Sequence, residues 1–158
     1  MAVRPIPEGY HSVTPYLAVS NSAEAIDWYK QALGATEVFR FEDGGKVAHA
    51  EIKIGDSIIM LSDEWREGGH IPPQTDGTPV SLMVYLEDVD SAFKRAVDAG
   101  ATELRAVQDQ FYGDRSGTLR DPFGHRWHLS THIEDVAPDE MKRRMDEFSA
   151  KKKEQEPA

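Results

Sequence analysis

Apolar and polar residues alternate along this chain with two different periods, and the switches between them set out the expected elements. Val13 to Val19 reads as a strand, with Pro15 tolerated near its start. Asn21-Ser22 supply capping chemistry with Glu24 close behind. Ala25, Ile26, Trp28, Tyr29, Ala32 and Leu33 then form a helical stripe that stops at Gly34. Strands are expected at Glu37 to Phe41, Lys46 to Ile54 and Ser57 to Leu61, with turns at Gly44-Gly45 and Gly55-Asp56. Asp63 to Thr78 is rich in glycine, proline and charge and carries no period, which marks a linker. The order then restarts. A strand at Val80 to Leu86 leads to a helix at Asp88 to Ala99 that buries Val89, Ala92, Phe93, Ala96 and Val97. Strands at Thr102 to Val107, Thr118 to Arg120 and Arg126 to Ser130 follow.

The letters repeat with the pattern. Gly34-Ala35-Thr36-Glu37 recurs as Gly100-Ala101-Thr102-Glu103, each time where a helix ends and a strand begins, so a duplicated βαβββ module is expected. The predicted organisation is a first module over 1–62, a linker over 63–79, a second module over 80–132 and a C-terminal helix with a charged tail over 133–158. Ala137-Pro138-Asp139-Glu140 starts that helix, and Met141, Met145 and Phe148 give it a narrow apolar stripe to pack on the domain or on a partner subunit.

Composition narrows the function classes. Hydrophobic residues make up 39% and charged residues 29% of 158 residues, an ordinary balance for a folded domain with a real core. A net charge of -10 argues against nucleic acid and anionic membrane as partners. The N-terminus shows no apolar stretch of the signal-peptide kind, so cytoplasmic residence is the expectation. The chain has no cysteine, which excludes disulfides, thiolate ligands and cysteine nucleophiles.

Strand alternation singles out one face. If Leu17, Val19, Ile52, Ile54, Ile59, Leu61, Leu82, Val84, Leu86, Trp127 and Leu129 pack beneath the helices, the opposite face carries Thr14, Tyr16, His49, Glu51, Lys53, Met60, Ser62, Ser81, Met83, Tyr85, Arg126, His128 and Ser130. That mixture of aromatic, thioether and ionisable groups suits a ligand cavity, with Tyr16, Met60, Met83, Tyr85 and Arg126 as binding residues. His49 and Glu51 share this face at i and i+2. With His128 across the cavity they are the candidates for proton transfer. Two readings stay open for these three: a hydrogen-bonded network without metal, or a rearranged metal site. Arg115 likewise has two, an exposed ion pair with Asp114 or a clamp for an anionic ligand. His125 is expected to be structural, and Trp28 and Tyr29 to be core.

Together with the duplicated module, WYKQALGA (Trp28 to Ala35), TPYL (Thr14 to Leu17), HAE (His49 to Glu51), GDR (Gly113 to Arg115) and DPFGHRW (Asp121 to Trp127) resemble the vicinal oxygen chelate superfamily, and within it the PhnB-like branch. That superfamily includes glyoxalase I, the bleomycin and fosfomycin resistance proteins and the extradiol dioxygenases. The resemblance spans about Val13 to His132. It implies an α+β fold of two fused βαβββ modules forming cupped mixed sheets (the glyoxalase/bleomycin resistance/dioxygenase fold), and a homodimer in which a second chain completes the cup. The family's four metal-ligand positions fall on Thr14, Met60, Ser81 and His128, of which His128 alone is a credible ligand, so no metal or other cofactor is expected. The implied function is binding of a small molecule, as a binding or resistance protein or a metal-independent enzyme. The alternative is a metal-dependent lyase, isomerase or dioxygenase of the glyoxalase I type.

Overall fold

A computed structural model describes residues 2–157; the outermost residues of the first module and of the tail, as delimited above, lie outside that range. The chain forms two four-stranded mixed sheets with a helix behind each, and a further helix at the C-terminal end. The first sheet has β1 (Tyr16–Val19), β2 (Thr36–Asp43), β3 (Lys46–Ile54) and β4 (Ser57–Asp63), in the spatial order β1-β4-β3-β2. The second has β5 (Ser81–Tyr85), β6 (Thr102–Asp109), β7 (Asp114–Arg120) and β8 (Arg126–His132), in the order β5-β8-β7-β6. In each, the first strand pairs parallel with the last and the other pairs are antiparallel. The duplication expected from the letters is therefore a duplication of topology.

Local chemistry places the first helix, α1 (Ser22–Leu33), where the pattern put it. Asn21 Oδ1 accepts from the Glu24 amide at 3.1 Å, and Gly34 closes the helix at φ 67°, a conformation that glycine adopts without penalty. The second helix, α2 (Val89–Asp98), is capped by Asp88, whose carboxylate takes the Ser91 amide at 3.1 Å. Several strands run longer than the alternation indicated. β7 starts at Asp114 instead of Thr118, because Ser116 and Gly117 continue the pairing with β8 in spite of their low strand propensity. Gly117 is needed there, since a Cβ would come within 2.7 Å of the Phe93 ring of α2. Beyond Asp63, which closes β4, the linker holds a 3₁₀ turn at Arg66–Gly68 inside an antiparallel bridge between Trp65 and His70.

The alternation separated the two faces correctly. Leu17, Val19, Ile52, Ile54, Ile59, Leu61, Trp127 and Leu129 are buried in one core with Ile26, Tyr29, Ala32, Phe93 and Ala96 from the helices, and Leu82, Val84 and Leu86 pack partly buried against it. On the opposite face Tyr16, Met83 and Tyr85 remain about half exposed, at 47%, 46% and 60%.

A buried carboxylate ties the halves together. Asp121 Oδ1 accepts the amides of Phe123 and His125, both at 2.9 Å, which shapes the turn before β8. Its Oδ2 accepts Trp127 Nε1 at 2.8 Å and the hydroxyl of Tyr29, from α1 of the other half, at 2.6 Å. Burial raises the Tyr29 phenol pKa well above 10, and the Asp121 charge adds to it, so the hydroxyl stays a donor. Trp28 Nε1 also crosses the seam, to Ala99 O at 2.9 Å, and His125 Nε2 meets Ala18 O at 2.8 Å, which gives His125 the structural part expected of it.

The third helix, α3 (Pro138–Gln155), buries no residue completely and is held by contacts from its middle turns. Phe148 packs on Phe111 with ring centroids 5.1 Å apart, and Arg144 bonds both oxygens of Glu134 and the Phe111 carbonyl.

Replacing Asp121 with alanine strands two buried side-chain donors and two turn amides. The expected loss is about 3 kcal/mol or more, which lowers the melting midpoint by about 6–12 °C. Tyr29→Phe leaves the turn intact and should cost about 1–2 kcal/mol. Thermal melts followed by circular dichroism compare the two; equal losses would contradict the central position given to Asp121.

Candidate functional site

The helix-free face of the first sheet holds a continuous line of hydrogen bonds. Tyr16 Oη lies 2.7 Å from His49 Nδ1, and His49 Nε2 lies 3.0 Å from Glu51 Oε1. The other oxygen of Glu51 accepts the hydroxyl of Tyr10, which comes from the irregular segment before β1. Register explains the convergence. Glu51 faces Met60 across β3 and β4, and Tyr16 pairs with Met60 across β1 and β4, so all three project to the same side. Phe39 and Phe41 of β2 stand opposite Glu51 and His49, each about half exposed. The edge of His70 from the linker meets Tyr16 with ring centroids 5.0 Å apart.

The proton positions along this line follow from Glu51. Burial works to raise its pKa, but the hydrogen bonds from Tyr10 and His49 outweigh burial and hold it below the ordinary value of 4.5. Glu51 is therefore a carboxylate and accepts only. His49 Nε2 must carry a proton to donate to it, and in that tautomer Nδ1 is the acceptor for the Tyr16 hydroxyl. The same hydrogen bond raises the Tyr10 pKa, because only the protonated phenol can donate it, and the Glu51 charge adds to this.

The second sheet presents different chemistry at the equivalent places. His128 takes the position that Met60 holds in the first, and Thr118 the position of Glu51. His128 Nδ1 lies 2.9 Å from Thr118 Oγ1 and Nε2 lies 3.1 Å from Ser81 Oγ. Burial lowers its pKa below 6.5, and the positive charges of Arg126 and Arg105 lower it further, so the imidazole is neutral at pH 7. No hydrogen bond joins His128 to His49 or Glu51 among the described residues; the two clusters occupy separate sheets. Farther along, Tyr85 donates to Asp114 at 2.9 Å. Asp114 is buried and also bonds His132, so the exposed pair with Arg115 does not form. Arg115 instead grips both oxygens of Asp90 and one of Asp109, at 2.8–2.9 Å, and its guanidinium is occupied.

Three cavities collect the remaining sequence candidates. The largest, about 580 Å³, lies under the linker at the seam between β1 and β5. Tyr16, His70, His125 and Arg126 contribute polar groups to it, against walls that include Pro72, Pro73, Val80 and Leu82. Met83 and Tyr85 line a second, of about 420 Å³, with Leu33, Ile59 and Trp127. Met60 and Glu51 line a third, of about 380 Å³, under the N-terminal segment that carries Tyr10. Tyr10 and His70 had no signature in the sequence, since both lie in stretches without a period and reach the site only through the tertiary fold.

The four positions to which the resemblance assigns metal ligands do not suit an ion here. Thr14, Met60 and Ser81 offer hydroxyl and thioether donors, and both nitrogens of His128 are already hydrogen-bonded. Nor do the described residues contain any group of three or more His, Asp or Glu spaced to hold an ion.

The topology, the duplicated modules and the polar helix-free faces agree with what the chain matches. The profile of the Glyoxalase/Bleomycin resistance protein/Dioxygenase superfamily fits residues 9–129, and the chain belongs to that family. It is 40% identical over 139 residues to the uncharacterized protein Mb0911c of Mycobacterium bovis, covering 85% of this chain and 91% of that one. Among solved structures it is similar to TioX from Micromonospora sp. ML1, with a TM-score of 0.61, 25% identity and coverage of 80% and 100% of the two chains. The PhnB protein from Bacillus cereus shares the fold at a TM-score of 0.59 and 22% identity, over 77% and 99% of the chains.

The two histidines of the second sheet should titrate on opposite sides of 6.5. His128 falls below that value, whereas hydrogen bonds to Asp114 and Asp135 raise His132 above it. A depressed imidazole binds fewer protons folded than unfolded, so the His128 contribution to stability is lost as the pH falls through 6.5 and below. That of His132 has the opposite sense: it is present below 6.5 and lost as the pH rises through the folded pKa. Proton NMR titration of the ring C–H signals, assigned with His128→Gln and His132→Gln, checks the order. Coincident midpoints would refute it.

Proposed function

We propose that this protein binds a small, flat, largely apolar anion in the 580 Å³ cavity at the seam between its sheets. It acts there as a binding or resistance-type protein, or as an enzyme that needs no metal. The observation that carries this reading is Arg126, a half-buried residue that makes no ion pair among the described residues yet lines an otherwise mostly apolar cavity. An arginine in that setting takes a carboxylate or phosphate group through paired N–H donors, while the proline and aliphatic walls accept a planar body. The cavity volume suits a drug-sized or metabolite-sized molecule.

The same reading includes a homodimer. Phe39 and Phe41 on the first sheet and Met83 and Tyr85 on the second are each about half exposed on faces that no helix covers. A second chain set over those faces would bury them and close the flanking cavities around Met60 and Met83. Residence in the cytoplasm belongs to this proposal as well.

A panel of aromatic and heteroaromatic carboxylates and phosphates should contain compounds that raise the melting midpoint of the protein by mass action. For such a compound Arg126→Ala should weaken binding by roughly tenfold or more, the loss of one charge-assisted contact, without lowering the midpoint of the ligand-free protein. Neutral analogues should bind the two forms alike. Ligands that bind Arg126→Ala undiminished would defeat the reading. Sedimentation equilibrium that gives the mass of one chain would defeat the dimer.

A further inference from the structure

Of the five tyrosines, three donate their hydroxyls to carboxylates: Tyr10 to Glu51, Tyr29 to Asp121 and Tyr85 to Asp114. A neighbouring negative charge keeps a phenol protonated, and these three are held as donors. Tyr16 differs. Its hydroxyl meets an imidazole nitrogen, the far nitrogen of that ring is fixed on a carboxylate, and the carboxylate is itself anchored by a second donor, Tyr10. The phenol end of the line is accessible, with Tyr16 47% exposed. The carboxylate end is sheltered, with the Glu51 side chain at 12%. An exposed hydroxyl, a base of fixed tautomer and a sheltered carboxylate that orients the base are the parts of a proton-transfer triad, here built on a phenol.

We infer that Tyr16 is a reacting group, with His49 as its proton acceptor and Glu51 as the positioning residue. When a bound molecule presents an acidic hydrogen to Tyr16 Oη, the phenol oxygen takes that proton while its own passes to His49 Nδ1. The molecule is left as its anion and His49 as an imidazolium facing the Glu51 carboxylate. Return of the proton along the same line completes an exchange or an isomerisation that consumes no co-reactant. Tyr16 lines the cavity that also holds Arg126, so the substrate class is an anion that Arg126 anchors and whose acidic hydrogen lies toward Tyr16. That substrate class rests on the binding reading above; the triad rests on its own geometry.

An electrophile that needs no natural ligand tests the triad directly. Phenylmethanesulfonyl fluoride reacts with a phenol by forming an O–S bond and breaking S–F: fluoride leaves and the phenol proton must go to a base. The full chain is treated with this reagent, and the modified tyrosines are mapped and timed by mass spectrometry. Tyr16 is expected to react first, faster than Tyr112, which is on no imidazole. His49→Gln should slow it by roughly a hundredfold, the lower end of what a positioned base contributes. Glu51→Gln keeps a hydrogen-bonding side chain beside His49 and should slow Tyr16 less.

The rate should also fall on acidification, as an imidazolium at His49 no longer accepts, and this limb should vanish in His49→Gln. The other titratable groups that face the pair are Glu51 on β3, Tyr10 from the N-terminal segment and His70 from the linker. His70→Gln should leave the limb in place. Circular dichroism of each variant separates loss of fold from loss of the base. Tyr16 reacting no faster than Tyr112, or at the same rate in folded His49→Gln, would overturn the triad. Selective labelling of Tyr16 in a protein whose ligands ignore Arg126 would uphold the triad and remove the substrate class.

Discussion

The arrangement depends first on the Asp121 carboxylate. Its two oxygens gather four donors, two from the turn ahead of β8, one from Trp127 and one from Tyr29 on the helix of the other half. A buried charge is tolerated only when its lone pairs are filled, so this carboxylate specifies the turn, the rotamers of two large aromatics and the approach of the halves together. The seam cavity inherits its shape from that constraint. His125 follows the same turn and reaches Ala18 of β1, while Arg126, one residue on, lines the cavity.

The two helix-free faces show how one backbone plan carries two kinds of chemistry. On the first sheet the Glu51 carboxylate accepts from His49 Nε2 and so orients the imidazole. On the second, the facing residues are hydroxyls and arginines, so His128 is kept neutral by burial and by positive neighbours. The same residue type thus meets different partners on the two sheets, set by what the neighbouring strand contributes.

Much of this was legible in the sequence, and the reason is locality. The helices announce themselves through Asn21, Asp88 and Gly34, whose capping partners lie within a few residues. Strand parity needs only the alternation, and it sorted Leu17, Ile52, Leu61 and Trp127 from Tyr16, His49, Glu51 and Met83. What escaped were contacts that alternation does not carry. Asp121 read as a turn residue, with no hint of Tyr29 at a separation of 92. Tyr10 and His70 lie where there is no period, and the partner of Arg115 proved to be Asp90 on a helix, 25 residues away, instead of its neighbour Asp114. Side chains that span such distances obey the fold as a whole, which no window of sequence contains.

The repeat of topology has one further consequence. Met60 and His128, Glu51 and Thr118, and Tyr16 and Met83 are structural counterparts, so a change at one leaves its twin untouched and the shared scaffold unaffected. The architecture works like a pair of identical frames hung with different panels. Each surface can be retuned alone, and a symmetric plan ends in two unlike walls.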